Sequence, residues 1–176
     1  MRRIGLLGLG LVAILTLTAC GGTTVPQKVE GAGSAAPDGG QARSERPQPQ
    51  VFAVGDTIKM GDLQFTVNSV RTTKGEGFVR AKDGNVYVLV NATVENIGDK
   101  PAAISSLLMF KLQDGDGYQH NITIYPDAKG SLDGEVAPGR KMRGELAFEV
   151  PEHAKGLELL FEPNLMGFGQ AIIKLD

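Results

Sequence analysis

Beyond residue 50, apolar residues recur at every second position over several stretches of the chain. Between residues 142 and 150 the even-numbered positions are apolar or glycine, and most odd-numbered positions are charged. A period of two with β-branched and aromatic enrichment is typical of half-buried strands. The pattern predicts strands at about residues 57–60, 63–68, 86–95, 104–113, 118–124, 142–150, 157–162 and 170–175.

Turn-forming residues occupy the gaps between these stretches. Gly, Pro and Asp cluster at residues 61–62, 98–101, 114–117, 138–139 and 151–156. Glycine tolerates a positive φ and proline fixes φ, so these clusters favour chain reversal. No apolar run has helical spacing with caps. Seven to eight short strands with frequent turns predict an all-β protein, an antiparallel β-sandwich. Its core is expected to contain Phe65, Tyr87, Phe110, Phe148 and Phe161.

Composition divides the chain into three segments. All seven Phe and all three Tyr lie in residues 51–176, which we assign to the sandwich domain. Residues 21–50 are rich in Gly, Pro and Gln and lack aromatic residues, so with Cys20 they are predicted to form a disordered tether. Residues 1–19 begin with Arg2 and Arg3 and continue with an apolar run over 4–17. A run shorter than about 20 residues is typical of a signal peptide, not of a membrane span.

The end of this first segment carries a more specific motif. Leu17-Thr18-Ala19-Cys20 resembles the lipobox of bacterial lipoproteins. The resemblance implies that the Cys20 thiol receives a diacylglyceryl group and that a peptidase cuts before it. Acyl chains such as palmitate would then anchor the protein to the extracytoplasmic face of the cell membrane. The alternative is an ordinary signal sequence of a secreted protein. Because Cys20 is the only cysteine, thiol catalysis and internal disulfides are not expected.

The domain also resembles a known family. The resemblance rests on four segments: residues 94–101 (Val-Glu-Asn-Ile-Gly-Asp-Lys-Pro), 110–114, 138–139 and 144–151. Over about residues 55 to 163 they resemble the immunoglobulin-like domain of bacterial lipoproteins known as domain of unknown function four-three-five-two. That family is similar to a secreted mycobacterial immunoprotective protein of β-sandwich fold. The resemblance implies an immunoglobulin-like sandwich and brings no catalytic or binding residues.

Charge and motifs exclude or weaken several functions. Residues 51–176 hold 13 cationic and 17 anionic side chains, a poor composition for nucleic-acid binding.

Asp114-Gly115-Asp116-Gly117 resembles the start of an EF-hand loop, but Tyr125 occupies the twelfth position, so a tight hairpin is favoured over a calcium site. No serine lies in a nucleophile elbow, and no glycine loop leads into a helix. We therefore expect neither an enzyme nor a bound cofactor.

A copper site is a more specific alternative than a calcium site. The available ligands are Met109, Met142, Met166, His120 and His153. The two methionines Met109 and Met142 lie in strand patterns and are expected to fill the core. A blue-copper site would also need a cysteine ligand, so no metal site is assigned.

Strand parity places the candidate binding surface. If consecutive strands alternate in direction, loops 74–84, 114–117 and 151–156 meet at one end, where the tether is also expected to enter. The candidate partner-binding residues there are Phe78, Arg80, Lys82, Asp83, Asp114, Asp116 and His153, with Lys74, Glu76 and Glu152 beside them. Phe78 is the strongest candidate because it lies in a polar, glycine-flanked loop. Alternatively, Phe78 caps the core or extends a hairpin with Val79.

These observations predict a lipid-anchored, non-catalytic module that binds an envelope component or an extracellular protein. Loops on a rigid sandwich are common binding surfaces. The alternative function is a lipoprotein that binds a small ligand or a metal ion, copper or calcium, and serves a transporter or sensor. A cavity or histidine cluster would favour that alternative.

Overall fold

The computed structural model describes residues 27–28, 50–163 and 169–176. The predicted signal peptide, Cys20, most of the predicted tether and Met166 lie outside the described residues. Within the described part, the elements in chain order are β1 (Gln27–Lys28), β2 (Val51–Ala53), β3 (Thr57–Met60), β4 (Leu63–Thr73), β5 (Gly75–Glu76), β6 (Val79–Arg80), β7 (Asn85–Asn96), β8 (Ala102–Ile104), α1 (Ser106–Met109), β9 (Phe110–Gln113), β10 (Gln119–His120), β11 (Gly134–Val136), β12 (Lys141–Pro151), β13 (Glu158–Phe161) and β14 (Ala171–Lys174).

Two five-stranded sheets form the sandwich. The first sheet has the order β1-β3-β4-β7-β12, and the second has the order β10-β9-β13-β14-β2. All their pairings are antiparallel except that of β14 with β2. Eight of these ten strands have three residues or more. The predicted immunoglobulin-like sandwich of seven to eight strands is thereby confirmed. Two short ribbons, β5-β6 and β8-β11, lie outside the sheets.

The core lies between the two sheets and is built on aromatic stacking. Phe65, Phe110, Phe148 and Phe161 are almost completely buried, as predicted. The Phe65 ring lies 4.6 Å from that of Phe161 and 5.3 Å from that of Phe110, centroid to centroid. Offset and tilted aromatic pairs at this separation add stability beyond the area they bury. Phe65 and Phe148 on β4 and β12 of the first sheet thus face Phe110 and Phe161 on β9 and β13 of the second sheet.

Tyr87 is buried, but not in the core between the sheets. Its ring packs 4.9 Å from that of Tyr125 on the outer face of the first sheet, with Leu89 and Ala147. The loop that follows β10 covers this face, and the Thr123 N–H donates to the Ala147 carbonyl. The placement of Tyr87 with the core phenylalanines was wrong because this second apolar layer needs a loop that is distant in sequence.

The region predicted as one strand over 104–113 is interrupted. It contains the last residue of β8, the four-residue helix α1 and β9. Asp133 accepts hydrogen bonds from the backbone N–H and the hydroxyl of Ser106, which holds the start of the helix. Leu107 and Leu108 on this helix are exposed. In the described part of the chain, no helix is both long enough and apolar enough to span a bilayer.

A buried asparagine organises the end of the sandwich where β7 stops. Asn96 is completely buried, and its side-chain amide donates to the carbonyls of Lys100 (2.7 Å) and Val136 (2.8 Å). Its side-chain oxygen accepts from the Gly98 N–H at 3.0 Å. We call this the Asn96 end. The motif at residues 94–101, which carries the family resemblance, therefore has a structural role.

Candidate functional site

Three loops meet at the opposite end of the sandwich, which we call the hairpin end. It comprises residues 74–84, 114–117 and 151–156. The Glu152 N–H donates to the Gly84 carbonyl at 2.9 Å, and the Gly115 N–H donates to the Lys155 carbonyl at 2.8 Å. Lys74 also forms a 2.9 Å ion pair with Glu152. The prediction that these loops gather is confirmed, whereas their role in binding stays a prediction.

A hairpin of β5 and β6 projects from this end. Gly75 pairs with Arg80 and Glu76 pairs with Val79, so Gly77 and Phe78 form the turn. Gly75 has a φ of 77°, and a Cβ there would lie 1.9 Å from the Val79 carbonyl oxygen. Only glycine allows this close approach and this φ. The local sequence therefore specifies the hairpin.

Phe78 stands at the tip of the hairpin and is fully exposed, at 109% of its reference area. The hairpin alternative of the sequence analysis is thus confirmed, and Phe78 does not cap the core. Glu76, Arg80, Lys82 and Asp83 are also exposed. The loop 74–84 therefore presents one aromatic ring together with two acidic and two basic exposed side chains.

Backbone and side-chain hydrogen bonds hold the base of the hairpin. The Ala81 N–H donates to the Lys74 carbonyl at 3.0 Å, which closes the loop. The Tyr87 hydroxyl donates to the Arg80 carbonyl at 3.3 Å. Because Tyr87 lies in the second apolar layer, this bond connects β6 to the sheet.

Glu149 of β12 fixes the return of the loop into β7. One carboxylate oxygen accepts from the Lys82 N–H at 2.8 Å and from the Asn85 side-chain amide at 3.0 Å. The Lys82 N–H, together with Asn85, holds the pKa of Glu149 below its ordinary value. Sequence analysis missed this role because Glu149 alternates with core residues and resembles a solvated strand face. Its partners lie more than 60 residues away in the chain.

Asp114 was predicted to contact a binding partner, but its carboxylate is already bonded within the domain. It is only 8% exposed. One of its oxygens accepts from the N–H groups of Asp116 and Tyr118, and the other bonds His120 Nε2 at 2.9 Å. The hydrogen bond with His120 is the main reason that the pKa of Asp114 lies below its ordinary value. The carboxylate organises the tight hairpin, so Asp116 alone of this acidic pair stays exposed.

His153 is exposed at the hairpin end, as expected of a surface loop residue. His120 is engaged with Asp114, and buried Met109 and half-buried Met142 pack in the core. Among the described residues, no three His, Cys, Asp or Glu side chains are grouped as metal ligands.

The chain does not enter the domain at the hairpin end. Sequence analysis missed β2, which pairs in parallel with β14. Val51 pairs with Ile172 and Ala53 with Lys174, so β2 runs toward the hairpin end. Because consecutive strands alternate in direction, one additional strand at the start moves the chain entry to the other end of the sandwich. The predicted entry of the tether at the hairpin end was therefore wrong.

A polar groove lies on another part of the described surface, and several of its side chains form hydrogen bonds with one another. A groove of about 560 Å³ on the outer face of the first sheet is lined by Thr57, Gln64, Thr66, Asn68, Thr93, Glu95 and Lys141. Within it the Thr57 and Thr66 hydroxyls are 3.0 Å apart, and Asn68 donates to Thr93. No fully buried side-chain polar atom in the described ranges lacks a hydrogen-bond partner.

Comparison with known proteins identifies related chains. The family model described as Domain of unknown function (DUF4352) matches residues 52–172. The chain is 28% identical over 141 residues to the uncharacterized lipoprotein YjhA of Bacillus subtilis, covering 72% of this chain and 65% of that protein. It is 29% identical over 124 residues to the uncharacterized protein YxkC of the same species, covering 63% of this chain and 69% of YxkC. The match therefore spans slightly less than two thirds of the length of YjhA.

Two solved structures share the fold. The crystal structure of the yjhA protein from Bacillus subtilis aligns with a TM-score of 0.54 at 22% identity, covering 71% of this chain and 99% of that one. The secreted protein MPT63 from Mycobacterium tuberculosis aligns with a TM-score of 0.55 at 16% identity, covering 73% and 99%. At these identities the likeness supports the sandwich fold alone.

Proposed function

The chain belongs to the family named Domain of unknown function (DUF4352), and from this premise we propose that it is a lipid-anchored, extracytoplasmic interaction module without catalytic activity. The hairpin end binds another envelope component or an extracellular protein. The observation that carries the proposal is the fully exposed Phe78 on a hairpin whose base is held by hydrogen bonds.

An exposed aromatic side chain on an ordered support suits a binding surface. Aromatic residues contribute a disproportionate share of binding energy when a partner buries them. The hydrogen bonds from Tyr87 and to Glu149 order the base of the hairpin before a partner arrives. Pre-organisation reduces the entropy lost on association. Phe78 therefore has the properties of an interface anchor.

The engagement of the acidic side chains supports a non-catalytic role. Arg71 donates two hydrogen bonds to Glu145, of 3.0 and 2.7 Å, and thereby holds the pKa of Glu145 below its ordinary value. The hydroxyls of Ser106 and Ser131 donate to Asp133. A general acid or base needs a pKa near the working pH, and the pKa of Glu145 is shifted away from it.

The lipid anchor gives the first test. Similarity to an uncharacterized lipoprotein supports the assignment of Cys20 as the lipid acceptor. Cys20→Ala should abolish incorporation of radiolabelled palmitate and leave unprocessed precursor or shed protein, because no other cysteine is present. Thr24→Ala, four residues further along, is the control and should label like the native chain. Undiminished labelling of Cys20→Ala would refute the anchor.

The second test concerns Phe78. A photoreactive benzoylphenylalanine at position 78 of the full chain, irradiated in intact cells, should give discrete protein adducts, and the same residue at position 99 should not. The purified adduct partner should then bind Phe78→Ala roughly 10- to 30-fold more weakly than the native chain, as expected for a loss near 2 kcal/mol. The melting temperature should stay within about 2 °C because the ring touches no core.

Ile124→Ala is the matched control, since Ile124 is also exposed and apolar but belongs to another loop. It should bind like the native chain. Equal affinity of Phe78→Ala and Ile124→Ala, or a lack of adducts from position 78, would overturn the binding role of the hairpin end.

A further inference from the structure

Two strands near the start of the domain lie on the same lateral side of the sandwich. β1 pairs antiparallel with β3, joining Gln27 to Lys59 and Lys28 to Ile58. Lys28 Nζ also lies 2.9 Å from a carboxylate oxygen of Asp56. Residues from β1 and β2, together with Asp56, line one surface groove. Both strands run toward the hairpin end, so the chain approaches the domain from the Asn96 side.

The register gives the level of β1 along the sandwich. Ile58 pairs with Phe65, and Phe65 pairs with Val94 near the end of β7. Lys28 is therefore level with Val94, whereas the projecting hairpin lies beyond Asn85 at the other end of β7. Nine residues of strand separate these two levels, a distance of roughly 30 Å at 3.3 Å per residue.

The predicted anchor is close to β1 in sequence. Gln27 is the seventh residue after Cys20, and seven residues can span at most about 25 Å even when fully extended. While β1 is paired, the Asn96 end is therefore held within reach of the anchor, and the hairpin lies farther from β1 than this segment can span.

We propose, building on the function proposed above, that β1 orients the domain on the membrane with the Asn96 end inward and the hairpin end outward. The partner of Phe78 is then a protein that lies beyond the bilayer and offers an apolar pocket for the benzyl ring. The bilayer itself is not the ligand of the hairpin.

The charges of the tip agree with a protein partner. Segments that bind anionic membranes combine apolar residues with an excess of Lys and Arg. In the loop that carries Phe78, Arg80 and Lys82 are balanced by Glu76 and Asp83. An apolar ring within balanced charge fits a pocket whose rim carries charges of both signs, since complementary rims set specificity.

Energy transfer to the bilayer tests the orientation. The lipidated full chain would be reconstituted into vesicles of phosphatidylcholine and phosphatidylglycerol that contain a rhodamine-labelled lipid. A donor dye would be attached to Phe78→Cys or, separately, to Asp99→Cys, an exposed position at the Asn96 end. We expect at least two-fold greater transfer from position 99 than from position 78. Equal transfer, or greater transfer from position 78, would overturn the proposal, and the latter would indicate that the hairpin contacts the bilayer.

A matched pair of double variants tests β1 itself. Gln27→Pro with Lys28→Glu disrupts the pairing with β3, and the second substitution replaces the ion pair with Asp56 by a repulsion between two carboxylates. It should remove most of the difference in transfer between the two positions. Gln48→Pro with Arg46→Glu makes the same changes elsewhere in the tether and should preserve the difference. A difference that persists after disruption of β1 would overturn the role assigned to this strand.

Flotation separates this proposal from the one it builds on. A chain that does not float with the vesicles refutes the lipid anchor, and the orientation falls with it. A chain that floats but shows equal transfer refutes the orientation alone, while the cross-linking from position 78 tests the binding role independently.

Discussion

Phe148→Ala should lower the free energy of unfolding by about 3–5 kcal/mol, the range for truncation of a fully buried phenylalanine. Phe148 lies in the middle of β12, paired with Val88 of β7 on one side and bridged to Ile122 on the other. Its side chain is completely buried in the core between the sheets. Because both flanks are held by strand pairing, the surroundings cannot collapse into the space left by the ring.

The same substitution at an exposed site is the control. Phe78→Ala removes an identical side chain from a tip that is fully exposed, and it should change stability by less than about 0.5 kcal/mol. Urea titration followed by circular dichroism, with equal slopes for all three proteins, measures both effects. A loss below about 1 kcal/mol for Phe148→Ala would mean that β12 turns its other face to the core.

Asn96→Ala should destabilise the domain by about 2–4 kcal/mol, a large effect for the removal of a polar side chain. The substitution leaves the carbonyls of Lys100 and Val136 without their donor and the Gly98 N–H without its acceptor. Each buried polar group that loses its partner costs about 1–3 kcal/mol, and water entering the site would offset part of this. Asn96 connects three chain segments, so the whole Asn96 end should loosen.

Asn68→Ala is the matched control for this second prediction. Asn68 also donates two side-chain hydrogen bonds, to Asn91 and Thr93, but on an exposed face where water replaces them. Its loss should cost less than about 1 kcal/mol. Thermal unfolding and amide exchange at Gly98 distinguish the two variants. Similar stability of Asn96→Ala and Asn68→Ala would contradict the organising role of Asn96.

The candidate site was predictable in outline. Strand parity brought loops 74–84, 114–117 and 151–156 together, and Phe78 was selected because it lies in a polar, glycine-flanked loop. Parity failed for the entry of the chain because β2 has only three residues and pairs with β14, more than 100 residues away in sequence. A strand that short has no periodicity to detect, and its partner cannot be inferred locally.

The burial of Asp114 could not be predicted from the sequence for a similar reason. Asp-Gly-Asp-Gly predicts a turn, since aspartate and glycine favour tight reversals. Whether the carboxylate faces solvent depends on His120, which returns on β10 to bond it at 2.9 Å. Without a hydrogen-bonding side chain at position 120, one of the two Asp114 oxygens would lose this partner.

The amino-acid sequence by itself determined the sandwich, the strands with clear alternation and the four buried phenylalanines, because side chains of a strand alternate between faces whatever their partners are. The tertiary structure decided which polar and aromatic side chains are taken up internally. Tyr87 joined an outer layer only because a loop covers that face, Glu149 became the support of the hairpin, and Phe78 stayed exposed. Burial of these residues depends on contacts between segments far apart in the chain, and such contacts leave no periodic signal in the residues that make them.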